Sequence, residues 1–272
     1  MEKLQMGYGL DTDGYIVSDV HLEKIDQIYW PPIEEAIDRL EKLFPERLIS
    51  VYVYGSVARG EAVIKKSDLD LLAMFDTTLS GDEITNLKEL VAELSRTYQS
   101  LIREVGITFA YQDYTMDPAN YYENAFLKEL CVCVHGDDVM EPFGPYPLIP
   151  EIPIRFNGDI AAVSDRLLNR LKPASNEFSY VTQKIARKLI RTFYTMVMVR
   201  SQIWTSRIHE QAEVFLRYFP EKASTVRTLL EWLEEPPSDF ETTYQFLKRE
   251  SKWASEHFFD EVKISSTAHE KT

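Results

Sequence analysis

The residue types and spacings most able to do chemistry lie at the ends of two apolar runs. Gly55-Ser56 closes the run Leu48 to Tyr54, and Asp68-Leu69-Asp70 opens the run that ends at Phe75, twelve residues beyond Ser56. A strand that delivers Gly55-Ser56 into a tight turn makes an anion cradle: a residue without Cβ lets the backbone and a small hydroxyl approach phosphate oxygens closely. Asp68 and Asp70 are separated by one residue on a predicted strand, so both carboxylates project from one face. Two hard oxygen donors at that spacing suit a hydrated Mg²⁺ that also binds substrate phosphates. Each half alone is ordinary turn and capping chemistry. In strand, turn, polar loop, strand order the two are far more specific, and like charges side by side at a strand start are costly without a cation.

Apolar period and punctuation outline the elements that must position these groups, and divide the chain into an α/β first half and an all-helical second half. Ile33, Ala36, Ile37, Leu40, Leu43 and Phe44 repeat at helical spacing after Pro31-Pro32, and Pro45 ends that helix. The short, β-branched and aromatic run Leu48 to Tyr54 and the run Leu69 to Phe75 predict neighbouring strands, joined by a polar loop with Arg59, Gly60, Lys65 and Lys66. Ile84, Leu87, Leu90, Val91, Leu94 and Tyr98 mark a helix, Val105 to Tyr111 a third strand, and Leu130 to Val134 a final run after a short helix. Glycine and proline then crowd residues 136 to 158. The predicted organisation is a first domain at 1–142, a linker at 143–158, a helical domain at 159–264 and a frayed tail at 265–272. The helical domain takes a helix from Ile160 to Leu171, a long one from Val181 to Ile203, others around Phe215 to Phe219 and Val226 to Leu233, and a last one from Phe240. Trp204, Trp232 and Trp253 fall in these patterns and read as core.

Lysine and arginine total 30 against 44 acidic residues, a formal charge of −14 in 272 residues. That balance argues against a nonspecific nucleic-acid or anionic-membrane binder and favours a cationic partner. No apolar run approaches a bilayer span and the first residues lack the apolar core of a secretory signal, so the expected location is cytoplasmic. The two cysteines, Cys131 and Cys133, share a strand face without disulfide geometry and read as core thiols, with His135 the near candidate if they were half of a metal site.

The Gly55-Ser56 and Asp68-x-Asp70 arrangement resembles the catalytic motif of the DNA polymerase β-like nucleotidyltransferase superfamily, whose members carry Gly-Ser followed by Asp-x-Asp in the same setting. With its helical second half the chain is most similar to bacterial aminoglycoside adenylyltransferases of the streptomycin and spectinomycin type. Arg191-Thr192-Phe193-Tyr194, then Arg207, then Arg217-Tyr218-Phe219-Pro220 carry that second similarity, and together the two cover about residues 45 to 235.

The resemblance implies an α+β fold: a small mixed β-sheet nucleotidyltransferase domain flanked by helices, followed by an all-α helical bundle, with nucleotide and acceptor held in the cleft between them. It implies Mg²⁺-dependent transfer of AMP from ATP to a hydroxyl of a small cationic acceptor such as an aminoglycoside, releasing pyrophosphate, an antibiotic-resistance chemistry. Asp68 and Asp70 would hold the metal, in two-ion fashion; Gly55, Ser56 and Ser67 would bind the nucleotide, and Arg191 and Arg207 its phosphates. Arg207 stands where a lysine is common in the family, which preserves charge and changes geometry. Relatives place an acidic residue on the third strand as general base or third metal ligand, and Gly106 falls at or near that position. Glu104, of the same strand parity, is the first choice and Asp113 the second. The stretch with Tyr111, Asp113, Tyr114, Asp117, Tyr121, Tyr122 and Glu123 suits a cationic polyhydroxylated acceptor in type. The alternatives are AMP transfer to a protein side chain, as antitoxin-like relatives do, and a nucleotide-binding regulatory module without turnover. Nucleic acid and membrane are not expected partners.

Overall fold

Three short apolar runs make strands β1 (Leu48–Tyr54), β2 (Leu69–Phe75) and β3 (Val105–Tyr111), matching the predicted boundaries, and Cys131–Gly136 makes β4. The computed structural model describes residues 4–173, 175 and 177–267. The chain divides into two units, Val17–Pro145 and the residues up to Ile16 together with those from Tyr146 onward.

In the first unit the strands form one mixed four-stranded sheet in the order β3-β2-β1-β4. β1 runs antiparallel to β2 and to β4, and β2 runs parallel to β3. Parallel neighbours need a crossover, supplied by α3 (Gly81–Thr97), whose start carries a capping box: the Ser80 hydroxyl accepts from the Glu83 N–H at 3.3 Å and the Glu83 carboxylate accepts from the Ser80 N–H at 2.7 Å. α1 (Trp30–Leu43) begins three residues before the predicted Ile33, because prolines at 31 and 32 are tolerated in a first turn that has no intrahelical N–H to satisfy. α1 and α3 cover one face of the sheet, burying Ile33, Ala36, Ile37, Leu40, Leu87, Leu90 and Leu94 against Val51, Val53, Leu69, Leu71, Ala73 and Phe75. The opposite face carries a smaller cluster around Tyr52, Leu72, Met74, Leu127 and Met140. Short helices α2 (Gly55–Ala58), α4 (Gln112–Met116) and α5 (Ala125–Leu130) follow β1, follow β3 and precede β4.

Cys131 and Cys133 are free thiols on that second face. Burial pushes the Cys131 thiol well up, with the Asp70 charge adding to it, and Cys133 up to about 11. A register shift between Val51 and Tyr52 breaks the alternation of β4, and His135 pairs with Glu41 of α1 at 3.2 Å, away from the cysteines. Cys131 is buried and Cys133 half-buried in that cluster, and among the described residues no set of three His, Cys, Asp or Glu side chains that could hold a metal ion is found.

The second unit is helical. α6 (Glu151–Asn157) lies inside the stretch predicted as a 143–158 linker; Pro150 and Pro153 sit at its cap and first turn, where proline is accommodated, and Ile152 is buried. α7 (Ile160–Arg170), α8 (Phe178–Ser201), α9 (Ile208–Leu216), α10 (Ala223–Glu234) and α11 (Phe240–Thr267) follow. α8 is buried on most of its surface and is packed by α6, α7, α9, α10 and α11. It stops before the predicted Ile203 because Gln202 turns left-handed at φ 49°. Trp253 packs edge-on to Phe193, Phe215 and Phe219, Trp232 to Phe246, and Trp204 is buried against Phe156, the core roles read from the sequence. The N-terminal segment, predicted within the sheet domain, instead belongs here: the Gly7 N–H donates to the Gln202 carbonyl at 2.7 Å and Arg217 donates to the Leu4 carbonyl at 2.6 Å. Of the predicted tail at 265–272, the helix α11 takes residues up to Thr267 and the rest lies outside the described residues. No helix of the described residues is long and apolar enough to cross a membrane.

Glu129 of α5 is only 6% exposed, and burial raises its carboxyl to about 7 against a weaker opposing pull from Lys128. The folded chain therefore keeps this proton to a higher pH than the unfolded chain, and the stability so gained is full below the ordinary value of 4.5 and lost as pH rises through about 7. Glu129→Gln should stabilise the protein by about 2 kcal/mol at pH 8 and by little at pH 4. Urea denaturation at the two pH values checks this; an equal effect at both would contradict it.

Candidate active site

Strand register sets four residues in one row across the end of the sheet: Gly106 on β3, Asp70 on β2, Tyr54 on β1 and Cys131 on β4. Asp70 is the carboxylate of that row, and glycines flank it. Gly55 has φ +76°, and a Cβ built on it would lie 2.8 Å from Asp70 Oδ2; a Cβ on Gly106 would lie 3.4 Å from Asp70 Oδ1. Space beside both carboxylate oxygens is thus kept by residues with no side chain. Positive φ is open to glycine at no steric cost, and here it turns the chain out of β1 into the single turn of α2, which carries the half-buried Ser56. The Glu61 N–H donates to the Ser56 carbonyl at 2.9 Å and closes the loop. The Tyr54 ring meets Phe126 edge-on at 5.4 Å, and its hydroxyl lies 3.5 Å from Thr108 Oγ1.

Asp68 stands just before β2. Both of its oxygens are taken by Arg103, whose Nε–H donates to Oδ1 at 2.9 Å and whose Nη2–H donates to Oδ2 at 2.6 Å. Backbone bonds hold the two segments in line: Arg103 N–H to the Ser67 carbonyl at 3.0 Å and Leu69 N–H to the Glu104 carbonyl at 2.9 Å. Hydrogen bonding to Asp68 raises the Arg103 guanidinium above its ordinary value against a desolvation cost, and the charges of Asp68, Glu104 and Asp70 add to the rise. The Ser67 hydroxyl accepts from the Val63 N–H at 2.9 Å, a bond within the loop that leads into Asp68.

One step before the Leu69–Val105 pair, Glu104 is half-buried and sits beside Asp68 as Gly106 sits beside Asp70. Asp113 is elsewhere. It follows the far end of β3 on α4, exposed, and the strand rise puts it about 20 Å from the Asp70 row. The parallel direction of β3 decides this, and it corrects the second choice for the third carboxylate. Of the acidic and aromatic residues of this region, the Tyr111 hydroxyl accepts from the Leu79 N–H, Asp117 caps the turn at Ala119, and Tyr114 donates to Glu123. Arg191 and Arg207 belong to the helical unit, the first exposed on α8, the second at the start of α9 with its N–H donating to Thr205 Oγ1 at 3.1 Å. Arg103 is the residue that sequence reasoning missed. Its only signal was a basic residue at the start of the third strand, which gains meaning once β3 is known to run parallel to β2.

The Asp70 surroundings fit a divalent cation. The donors are hard carboxylate oxygens, and a Cβ on Gly55 would fill the space next to them. One or two carboxylates are a protein's usual share where Mg²⁺ is held together with waters and substrate phosphates.

Residues 33–107 match the family model for the nucleotidyltransferase domain, a span that holds every one of these groups from Gly55 to Gly106. The chain carries a nucleotidyltransferase domain. Its fold, with the helical unit included, is similar to that of spectinomycin adenyltransferase AAD(9) from Enterococcus faecialis, solved with ATP and spectinomycin. The match has a TM-score of 0.51 at 15% identity and covers 82% of this chain and 99% of that one. The α+β fold and the superfamily resemblance are both borne out. No curated protein matches the chain.

In this nucleotidyltransferase domain Gly55→Ala should cost about 2 kcal/mol or more, because the new methyl meets both an unfavourable φ and the Asp70 carboxylate. Chemical denaturation measures it; a loss under about 0.5 kcal/mol would show that neither constraint is real.

Proposed function

We propose that this nucleotidyltransferase transfers AMP from ATP to a hydroxyl of a small cationic acceptor, of the aminoglycoside or aminocyclitol class, and releases pyrophosphate. The observation that carries the reading is the Asp70 carboxylate set between two glycines at the end of the strand that follows the Gly55-Ser56 turn. The reaction is an in-line displacement at the α-phosphorus: the acceptor oxygen forms the new P–O bond as the bond to the pyrophosphate oxygen breaks, and the acceptor loses its proton.

Asp70 and Asp68 would hold Mg²⁺, and the Gly55-Ser56 turn would receive the β- and γ-phosphates. When bound, the ion supplies neutralisation of the triphosphate and of the charge that builds on the leaving oxygens. The two-ion arrangement rests on the family resemblance alone. Glu104 is assigned as the acceptor of the hydroxyl proton, since Gly106 leaves the neighbouring position without a carboxylate and Asp113 is remote. Arg191 and Arg207 are assigned to the phosphates on the same resemblance. The acceptor class draws on the neighbour solved with spectinomycin and on the net charge of −14. A reading without turnover, in which the domain binds nucleotide only, is favoured by one observation, the glycine at position 106 beside Asp70.

Pyrophosphate release from ATP and Mg²⁺ across a panel of aminoglycosides and aminocyclitols separates the two. Turnover with one structural class, reduced about a thousandfold in Asp70→Asn, is the expected result, since a metal's contribution of several kcal/mol corresponds to that factor. Intact ATP binding with no release across the panel would favour the binding module.

A further inference from the structure

Arg103 is a cation that the motif does not require. Its fork takes both oxygens of Asp68 at 2.9 and 2.6 Å, and a bidentate fork uses the same in-plane lone pairs that a chelated metal would use. The pair is held from behind by the Arg103–Ser67 and Leu69–Glu104 backbone bonds, which fix the two chain segments that carry it. Arg103 also feels Glu104 and Asp70. The guanidinium is paired with Asp68 and lies within the electrostatic reach of the other two carboxylates.

We propose that Arg103 is a built-in competitor of the divalent cation: Asp68 becomes a metal ligand only as the guanidinium gives it up, so Arg103 sets the metal affinity of the site and keeps it low until a triphosphate adds ligands of its own. This rests on the metal-site reading of Asp68 and Asp70 given above. Arg103 is a positioning residue here; it acts through Asp68. Without a nucleotide the ion has two carboxylates to gain and an ion pair to break. With one, the phosphate oxygens complete the coordination and the exchange becomes favourable.

Mn²⁺ binding to the full chain without nucleotide, read from the electron paramagnetic resonance signal of free Mn²⁺, tests this apart from turnover. Arg103→Gln should bind Mn²⁺ about tenfold more tightly than wild type, the factor that corresponds to losing about 1.4 kcal/mol of competition. Arg103→Lys, a single point charge in place of the fork, should fall between. Arg103→Gln with a native circular dichroism spectrum and unchanged or weaker Mn²⁺ affinity would overturn the proposal and make Arg103 a support for Asp68. If Arg103→Gln fails to fold, Arg103→Lys carries the test, and an affinity no tighter than wild type overturns it. Asp70→Asn separates the two levels: loss of Mn²⁺ binding in both the wild-type and Arg103→Gln backgrounds supports the site, whereas unchanged binding means the ion lies elsewhere and overturns the metal-site reading together with the proposal.

Discussion

A carboxylate at the start of a strand has to face away from the core into which the residues on either side of it in the chain are packed. Asp70 meets this constraint, and the register of the sheet follows from it. Its neighbours Leu69 and Leu71 are fully buried under α1 and α3, so the alternation of β2 turns Asp70 to the other face. A slip of one residue would exchange the two sets, and the covered face therefore holds the register on which the row Gly106-Asp70-Tyr54-Cys131 depends. β1 ends at Tyr54 and leaves by the left-handed turn at Gly55, and Gly106, the second residue of β3, stands opposite Asp70.

Charge at this end of the sheet is partly compensated from within the unit. Three carboxylates, Asp68, Asp70 and Glu104, act on one guanidinium, Arg103. Asp68 and Arg103 are only partly screened, at 20% and 37% side-chain exposure, so their pairing is stronger than that of a fully solvated surface bridge. On the proposed metal reading, a divalent cation and phosphates would replace that pairing with another form of charge compensation.

Much of this was legible from residue types alone. The bounds of β1, β2 and β3 followed from short β-branched runs closed by glycine or polar loops, and the Gly-Ser and Asp-x-Asp pair followed from spacing. What stayed hidden depends on pairing direction and register, which single runs do not encode. Asp113, the second choice for the third carboxylate, follows the far end of β3, and the parallel pairing puts that end opposite the Asp70 row. Arg103 looked like an ordinary strand-flanking basic residue until the same parallel pairing set it against Asp68. The bulge that sends His135 to Glu41 is equally silent in sequence, and the helix α6 escaped because its prolines read as linker composition while they occupy a cap and a first turn. The return of the N-terminal segment to the helical unit rests on a few backbone contacts with no apolar pattern to announce them.

The central claim is that Asp70, between Gly55 and Gly106, is where the metal and the triphosphate meet. Anomalous diffraction from crystals grown with Mn²⁺ and a non-hydrolysable ATP analogue tests it most directly. The account predicts a manganese peak against the Asp70 carboxylate with the triphosphate lying along the Gly55-Ser56 turn. Nucleotide and manganese bound together at another place on the chain, with Asp70 untouched, would contradict it.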